Sequence, residues 1–239
     1  MKIGKLIRNK RNSNSSLGIK GFLFLLLMLT TTAHAVELDT KNRDPKYVAT
    51  IVERSKKVVA KLELKDAETA TNVTNIVANR YFKLNDIYAK RDSDVAKIKR
   101  SVLTGEAKKS ALTAAQDAKE AALYRSHFAF PAELSMLLNE SQIEAVKDGI
   151  TFGVVKVTYE ATLDMVPTLK DEEKTQILAW LKEAREFSID AENSNKKHEA
   201  FGKYKGRINN YLSARGYDLV KEREGWYARI KARNEAKKK

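Results

Sequence analysis

Apolar side chains recur every three to four positions along most of the chain, which is the spacing of one face of an α-helix. A basic helix closes the chain, and the apolar stripes run through six earlier segments: 45–62, 66–102, 106–127, 139–148, 171–189 and 196–218. Only residues 149–159 resemble a strand, and one isolated strand has no partner, so we interpret them as an extended connection or a distorted helix. The pattern predicts an all-α, single-domain bundle of six to eight helices with a long antiparallel helix pair.

The first 35 residues have the three parts of a secretory signal peptide. A basic start without any acidic residue precedes an apolar run over 21–29, and the small-residue sequence Ala33-His34-Ala35 follows. The apolar run is too short to cross a bilayer, which takes ~20 residues. We expect cleavage after Ala35 and a periplasmic or secreted protein that does not span a membrane; a retained N-terminal anchor is the alternative. The helical domain is expected over 36–225, with 226–239 as the basic end of the last helix and a tail.

Positive charge is concentrated in the last part of the chain. Residues 196–239 carry 14 Lys or Arg and 5 Asp or Glu, a net charge of +9, whereas residues 36–195 carry 25 and 26, a net charge of −1. In an exported protein this balance favours an acidic polysaccharide, an anionic lipid or a cell-surface polymer over nucleic acid. The alternative interpretation is a basic face that only keeps the protein soluble.

Several kinds of chemistry lack their residues. The chain has no Cys, so thiol nucleophiles and Cys-based metal sites are excluded. Beyond the signal peptide only His127 and His198 remain, which argues against a zinc site rich in His. Phosphate-binding Gly loops, the GxSxG elbow, HExxH and EF-hand loops are also missing. We therefore expect no metal and no cofactor, and the sequence identifies no catalytic residue.

The most unusual stretch is 196–218, KKHEAFGKYKGRINNYLSARGYD. One face of this predicted helix is apolar, and another face carries small and polar residues four apart: His198, Gly202, Gly206 and Asn210. Because Gly costs roughly 1 kcal/mol relative to Ala inside a helix, two of them one turn apart indicate that something approaches closely. Either another helix packs there, or the face is a ligand groove with amide and cationic walls.

A second unusual place is the sequence around Pro131. The proline disfavours helical backbone at the residue before it, so we predict that the third helix ends here and that a short helix follows over 132–138. The break would expose backbone near Arg125 and His127. If the glycine face lies against it, Arg side chains would bind carboxylates and aromatic faces would stack on sugar rings; the alternative is that Arg125 and His127 only cap the broken helix.

These two places together predict a binding site for a carbohydrate, with acidic saccharides favoured. Its expected members are cationic, aromatic and amide side chains: Arg125, His127, Tyr159, Trp180, His198, Lys203, Tyr204, Lys205, Arg207 and Asn210. The same residue types include a Tyr or His base and cations that would stabilise an enolate. A lyase or hydrolase acting on a uronate-containing glycan is therefore an alternative function.

Four segments carry a resemblance to a known family: HFAFP (127–131), VKDGITFGVVKVTYEATLDMVP (146–167), ILAWLKEAREFSIDAE (177–192) and HEAFGKYKGRINNYLSARGYD (198–218). Over residues 45–225 the chain resembles domain-of-unknown-function family 3826, exported proteins of Bacteroidetes-type bacteria for which sugar binding has been suggested. The resemblance implies an all-helical periplasmic protein associated with the use of glycans. It implies no catalytic residue.

A weaker similarity concerns Spy-type periplasmic chaperones, whose LTxxQ motif is partly kept here. Boxes of the form Leu-x-x-x-[Glu/Gln] begin at four positions: Leu64, Leu112, Leu138 and Leu169. We interpret three of them as hydrophobic staples with capping boxes at helix starts, and the one at Leu112 as a chance match inside a helix. A chaperone-like interaction protein is the third possible function.

Overall fold

The computed structural model describes residues 35–237 of the 239-residue chain. The predicted signal peptide, apart from Ala35, and the last two lysines lie outside the described residues. Within them the fold is an all-α bundle without strands, as predicted, and its eight α-helices are α1 (Pro45–Val59), α2 (Ala67–Arg100), α3 (Gly105–Ser135), α4 (Glu140–Ile150), α5 (Val154–Met165), α6 (Asp171–Ser188), α7 (Ser194–Ala214) and α8 (Leu219–Ala236). None of these helices is long and apolar enough to span a membrane.

Polar side chains begin the helices where the sequence predicts starts. Asp44 accepts the backbone N–H of Tyr47 at 2.9 Å ahead of α1, and Asp66 accepts that of Thr69 at 2.7 Å ahead of α2. A complete capping box forms at α4, between Asn139 and Gln142. At α6 only the reciprocal half forms: Glu173 accepts the backbone N–H of Lys170 at 2.9 Å, and the Lys170 ammonium cannot accept a hydrogen bond. The Leu-x-x-x-[Glu/Gln] box at Leu138 is thus confirmed, the one at Leu169 keeps only the Glu contact, the one at Leu64 provides only a cap, and Leu112 lies inside α3.

The predicted break at Pro131 is wrong, because α3 continues through this residue to Ser135. Proline lacks an N–H, so the carbonyl of His127, four residues earlier, loses its helical hydrogen bond, at a cost of ~3 kcal/mol. Phe130 and Leu134 on either side are 2% and 0% exposed. Burying two such side chains stabilises the fold by about 3–6 kcal/mol, which outweighs the cost of the proline.

The strand-like segment 149–159 contains the end of one helix, a turn and the start of the next helix. Of the two interpretations, a distorted helix is therefore closer to the structure than an extended connection. Helix α4 ends at Ile150, and Phe152 and Gly153 adopt left-handed backbone with φ values of 63° and 68°. Helix α5 begins directly afterwards. The close approach that glycine permits occurs at Gly149, where a Cβ would lie 2.7 Å from a methyl carbon of Val58 on α1.

Two main apolar clusters hold the bundle together. The first lies among α1 to α4, and its largest buried members include Ile76, Phe130 and Leu134. The second lies among α5 to α7, around Ile177 and Phe201. Ile189, at the end of α6, belongs to the first cluster, so the connection from α6 to α7 is packed against α2 and α3.

Candidate functional site

A cleft of about 960 Å³ lies between the paired helices α2 and α3 and the segment that ends α6 and begins α7. Helix α3 lines one wall from Lys119 to Phe128, and the opposite wall runs from Glu186 to Lys203. The paired helices α2 and α3 therefore supply one wall, and the α6–α7 connection supplies the other. We call this cavity the α3–α6 cleft.

A chain of polar side chains, which we call the floor, runs from the lining of the α3–α6 cleft, at Tyr88, His127 and Asp190, to Arg80 and Ser126 behind it. The two carboxylate oxygens of Asp190 have separate partners: Oδ1 accepts from Arg80, and Oδ2 lies 2.9 Å from Nδ1 of His127. Arg80 also donates to the Ser126 hydroxyl, and its side chain is only 4% exposed. Tyr88 donates its hydroxyl to the carbonyl of Asp190 at 2.8 Å. These contacts fix the orientation of the His127 ring.

Burial and charge shift the pKa values of two groups on this floor. Burial lowers the pKa of the Arg80 guanidinium, and Asp190 partly offsets this effect. Burial, together with the charges of Glu192 and Asp190, raises the pKa of Tyr88 to about 12. Tyr88 thus stays a hydrogen-bond donor at neutral pH, and the carboxylate of Asp190 compensates the buried guanidinium of Arg80.

Three exposed aromatic side chains stand at the rim of the cleft. Tyr124 and Phe128 come from successive turns of α3, with ring centroids 5.0 Å apart, and Phe187 comes from α6. Their exposures are 69%, 57% and 63%, respectively. Large apolar rings that stay exposed on both walls of a cleft are available for stacking against a ligand.

Most charges that line the cleft are paired, but two cations are not. Arg91, Lys119, Lys196 and His127 each lie within 3.3 Å of a carboxylate, and Glu186 is within 3.1 Å of both Lys147 and Arg185. Within residues 35–237, Arg125 and Lys203 form no ion pair, although both line the cleft. Five Lys or Arg and five Asp or Glu side chains line the cleft, so the lining is balanced in charge, and Arg125 and Lys203 are the two cations that remain available to a ligand.

The structure brings three of the ten predicted site residues together in the cleft: Arg125, His127 and Lys203. Three others lie together on α6 and α7 outside the cleft lining, where the Arg207 guanidinium lies 4.5 Å from the Trp180 ring and 6.0 Å from the Tyr204 ring. The Tyr204 ring also lies 6.4 Å from the ring of Phe187 at the rim. Tyr159 packs against the second apolar cluster.

The remaining three predicted residues lie on the exposed surface of α7, away from the cleft. His198 stacks on Phe152, with ring centroids 5.4 Å apart. Lys205 and Asn210 are exposed and do not line the cleft.

The predicted packing role of the glycine face is also wrong. A Cβ at Gly202 or Gly206 would meet no atom within 4 Å, so in the described part of the chain no helix packs on this face. Neither glycine lines the cleft, although Gly206 follows Glu199 by seven positions and Lys203 by three and so lies on the same side of α7 as these lining residues. The groove predicted between the glycine face and the proline break is therefore not formed.

Sequence reasoning missed several residues of the cleft. The spacing of Ile177, Leu181, Ala184 and Phe187 predicts that Phe187 lies on the buried stripe of α6, yet it is exposed at the rim, because Ala184 and Ser188 occupy the buried positions. Asp190 stands directly after α6, and the sequence gives no signal that it meets His127, 63 positions earlier. Other missed members are Tyr88, Arg91, Lys119, Glu186 and Glu192.

A second cavity, of about 900 Å³, runs along α2 and α3 and shares Arg91, Lys119 and Arg125 with the α3–α6 cleft. Its single aromatic lining residue, Phe130, is buried. This cavity therefore lacks the exposed rings of the α3–α6 cleft. Across residues 35–237, no group of three or more His, Asp and Glu side chains is placed to hold a metal ion.

A comparison with known families gives a match over most of the chain. The family model described as "Protein of unknown function (DUF3826)" matches residues 48–232, which is most of the chain. The family predicted from the four segments is confirmed by this match. No curated protein matches the chain.

Proposed function

The chain belongs to the DUF3826 family, whose function is unknown, and we propose that it binds an acidic oligosaccharide in the α3–α6 cleft. The observation that carries this proposal is the combination of exposed aromatic rings on both walls with two unpaired cations in the same lining. The rings offer flat apolar faces to the C–H faces of sugars, and the paired charges of the floor offer hydrogen-bond partners to hydroxyl groups.

The preference for acidic sugars rests on Arg125 and Lys203. A guanidinium binds a carboxylate through two parallel hydrogen bonds, whereas an ammonium acts as a point charge. A uronic acid residue in the cleft would supply the carboxylate that neither side chain finds within the described part of the chain. A neutral sugar would leave both charges without a partner.

The proposal also includes the cellular context. A periplasmic or secreted location, with the N-terminal segment removed after Ala35, would place the protein where oligosaccharides released from a larger glycan are available. The chain would then act as a carbohydrate-binding component of a glycan-utilisation system.

Thermal unfolding in the presence of oligosaccharides tests the proposal. A ligand at 100 times its Kd adds about 2.7 kcal/mol to the free energy of unfolding, so oligogalacturonate should raise the Tm while a neutral oligoglucoside of equal length should not. Replacing Phe187 by Ser should reduce the shift, because it removes one stacking face. Val157→Ser is the matched control, since Val157 is 65% exposed and lies outside the cleft.

A second variant tests whether the ligand binds on the glycine face of α7 instead of in the cleft. Gly206→Leu should leave the oligosaccharide-dependent shift unchanged, because Gly206 lies outside the cleft and has open space beside it. Loss of the shift in Gly206→Leu but not in Phe187→Ser would place the ligand on α7 and contradict the proposal. Suppression of client aggregation without any dependence on saccharide would instead favour the chaperone-like alternative.

A further inference from the structure

The described residues contain two histidines in very different surroundings. His198 is exposed on α7, stacks on Phe152 and lies outside the α3–α6 cleft. His127 is half-buried on α3, lines the cleft and contacts Asp190. Only His127 therefore combines access to a ligand with a fixed ring orientation.

The Asp190 carboxylate determines which ring nitrogen of His127 carries the proton. An ionised carboxylate only accepts hydrogen bonds, so at 2.9 Å Nδ1 is the protonated nitrogen. Arg80 holds the other carboxylate oxygen and is itself held by Ser126. In the neutral ring the lone pair is therefore on Nε2.

Nε2 is free to act on a ligand. Its nearest acidic neighbour, Oε2 of Glu186, lies 4.0 Å away, which is too far for a hydrogen bond. The carboxylate of Glu186 is occupied by Lys147 at 3.1 Å and by Arg185 at 3.0 Å. In the described residues, the contacts of His127 leave Nε2 without a hydrogen bond.

We propose that His127 is the catalytic base of the α3–α6 cleft and that the protein cleaves uronate-containing glycans by β-elimination; this rests on the proposed acidic-oligosaccharide site. Arg125 and Lys203 neutralise the uronate carboxylate, which makes the hydrogen on the adjacent C5 more acidic. Nε2 of His127 takes that proton, and the C5–H electrons form the C4–C5 double bond. The C4–O bond breaks, and the departing oxygen takes a proton from water. The hydroxide that remains takes the proton from Nε2, which regenerates neutral His127.

Asp190 acts in this reaction as a positioning residue, because it touches His127 and not the substrate. It fixes the tautomer and stabilises the imidazolium that forms when Nε2 takes the proton. Arg80 donates a hydrogen bond to the Asp190 carboxylate from the buried side. The step needs no oxidant, reductant or second substrate, since proton, electron pair and leaving group are all accounted for.

The test is to incubate the protein with polygalacturonate, alginate and a glucuronan, and to follow the ultraviolet absorbance of the unsaturated uronate product. We expect product from at least one of them. His127→Gln should lower the rate by about 100-fold or more, which is the usual contribution of a general base, and it should keep oligosaccharide binding. The matched control, His198→Gln, should react at the rate of the wild type.

Asp190→Asn separates positioning from a purely structural role. It removes the carboxylate that accepts from Nδ1, so ¹⁵N NMR of the His127 ring should show loss of the Nδ1-protonated tautomer. A variant that was only less stable would lower the rate without changing this tautomer. Thermal melts of each variant establish that it is folded under the assay conditions.

Two results would overturn the proposal. Binding of acidic oligosaccharides without product from any of the three glycans would reject the elimination and leave the binding proposal intact. Equal rates for His127→Gln and His198→Gln would show that the activity does not use His127. Absence of binding by the wild type would instead reject the proposed function itself.

Discussion

Lys197 is a buried lysine on α7 that has no carboxylate partner among the described residues. Its ammonium donates to the carbonyl of Ile150 at 3.1 Å and lies 5.4 Å and 5.8 Å from the rings of Tyr81 and Phe152. Burial, with smaller contributions from two arginines, lowers its pKa to about 8. The folded protein thus binds this proton less tightly than the unfolded chain does.

The pH dependence of stability should reveal this group. Between the folded pKa of about 8 and the ordinary value of 10.5, the unfolded chain holds more protons, so the free energy of unfolding should rise with pH. We expect a rise of about 1 kcal/mol per pH unit between about pH 8 and 9.5 in urea denaturation. Above about pH 10 the raised pKa values of Tyr88 and Tyr217, both about 12, act in the opposite direction.

Lys197→Met provides the comparison for this prediction. It keeps the length and apolar stem of the side chain but removes the titrating group. Its free energy of unfolding should stay nearly flat over the same pH range. Parallel curves for the wild type and the variant would show that Lys197 does not cause the dependence.

The last helix, α8, is attached to the bundle in an unusual way, because none of its residues is fully buried. Its polar contacts converge on Asp164 at the end of α5. The carboxylate accepts from the Trp226 indole at 2.7 Å and from two guanidinium nitrogens of Arg233 at 2.6 and 3.0 Å. Arg233, followed by Trp226, lowers the pKa of Asp164 to about 2.

Asp164→Asn should therefore loosen α8 while the rest of the bundle stays folded. Hydrogen–deuterium exchange should speed up over Leu219–Ala236 and remain unchanged in α6 and α7. In the wild type the contact is fully present above about pH 4, and it is lost as the pH falls from 3.8 toward the folded value of about 2. Glu160→Gln, another carboxylate on α5, is the control, and slow exchange of α8 in Asp164→Asn would contradict the prediction.

At the scale of the whole molecule, local sequence patterns predict the helices but not how they meet. Caps at Asp44, Asp66 and Asn139 and the apolar periodicity place most helix ends within a few residues. The patterns wrongly predict a helix end at Pro131. The helix continues because the burial of neighbouring side chains outweighs the cost of the proline, and this burial depends on the assembled core.

The candidate site could be predicted only in part, for a similar reason. Arg125 and His127 were found from their local sequence, and Lys203 from the charge of α7. Their partners Phe187 and Asp190 come from a helix end that packs against α3 only after folding. The unusual composition around Gly202 and Gly206 wrongly indicated a close approach by another part of the protein. In the structure both glycines border open space.

The central claim is that Arg125 and Lys203 select an acidic saccharide, and isothermal titration tests it most directly. The wild type should bind oligogalacturonate and lose most of its affinity for the methyl-esterified oligosaccharide, which lacks the charge. Arg125→Ala combined with Lys203→Ala should weaken binding of the acid by about tenfold or more, since hydrogen bonds to charged groups contribute about 1.5–3 kcal/mol each. Lys205→Ala, an exposed lysine of α7 outside the cleft, should bind like the wild type. Equal affinity for the acid and its ester, or equal losses in Lys205→Ala and the double variant, would contradict the claim.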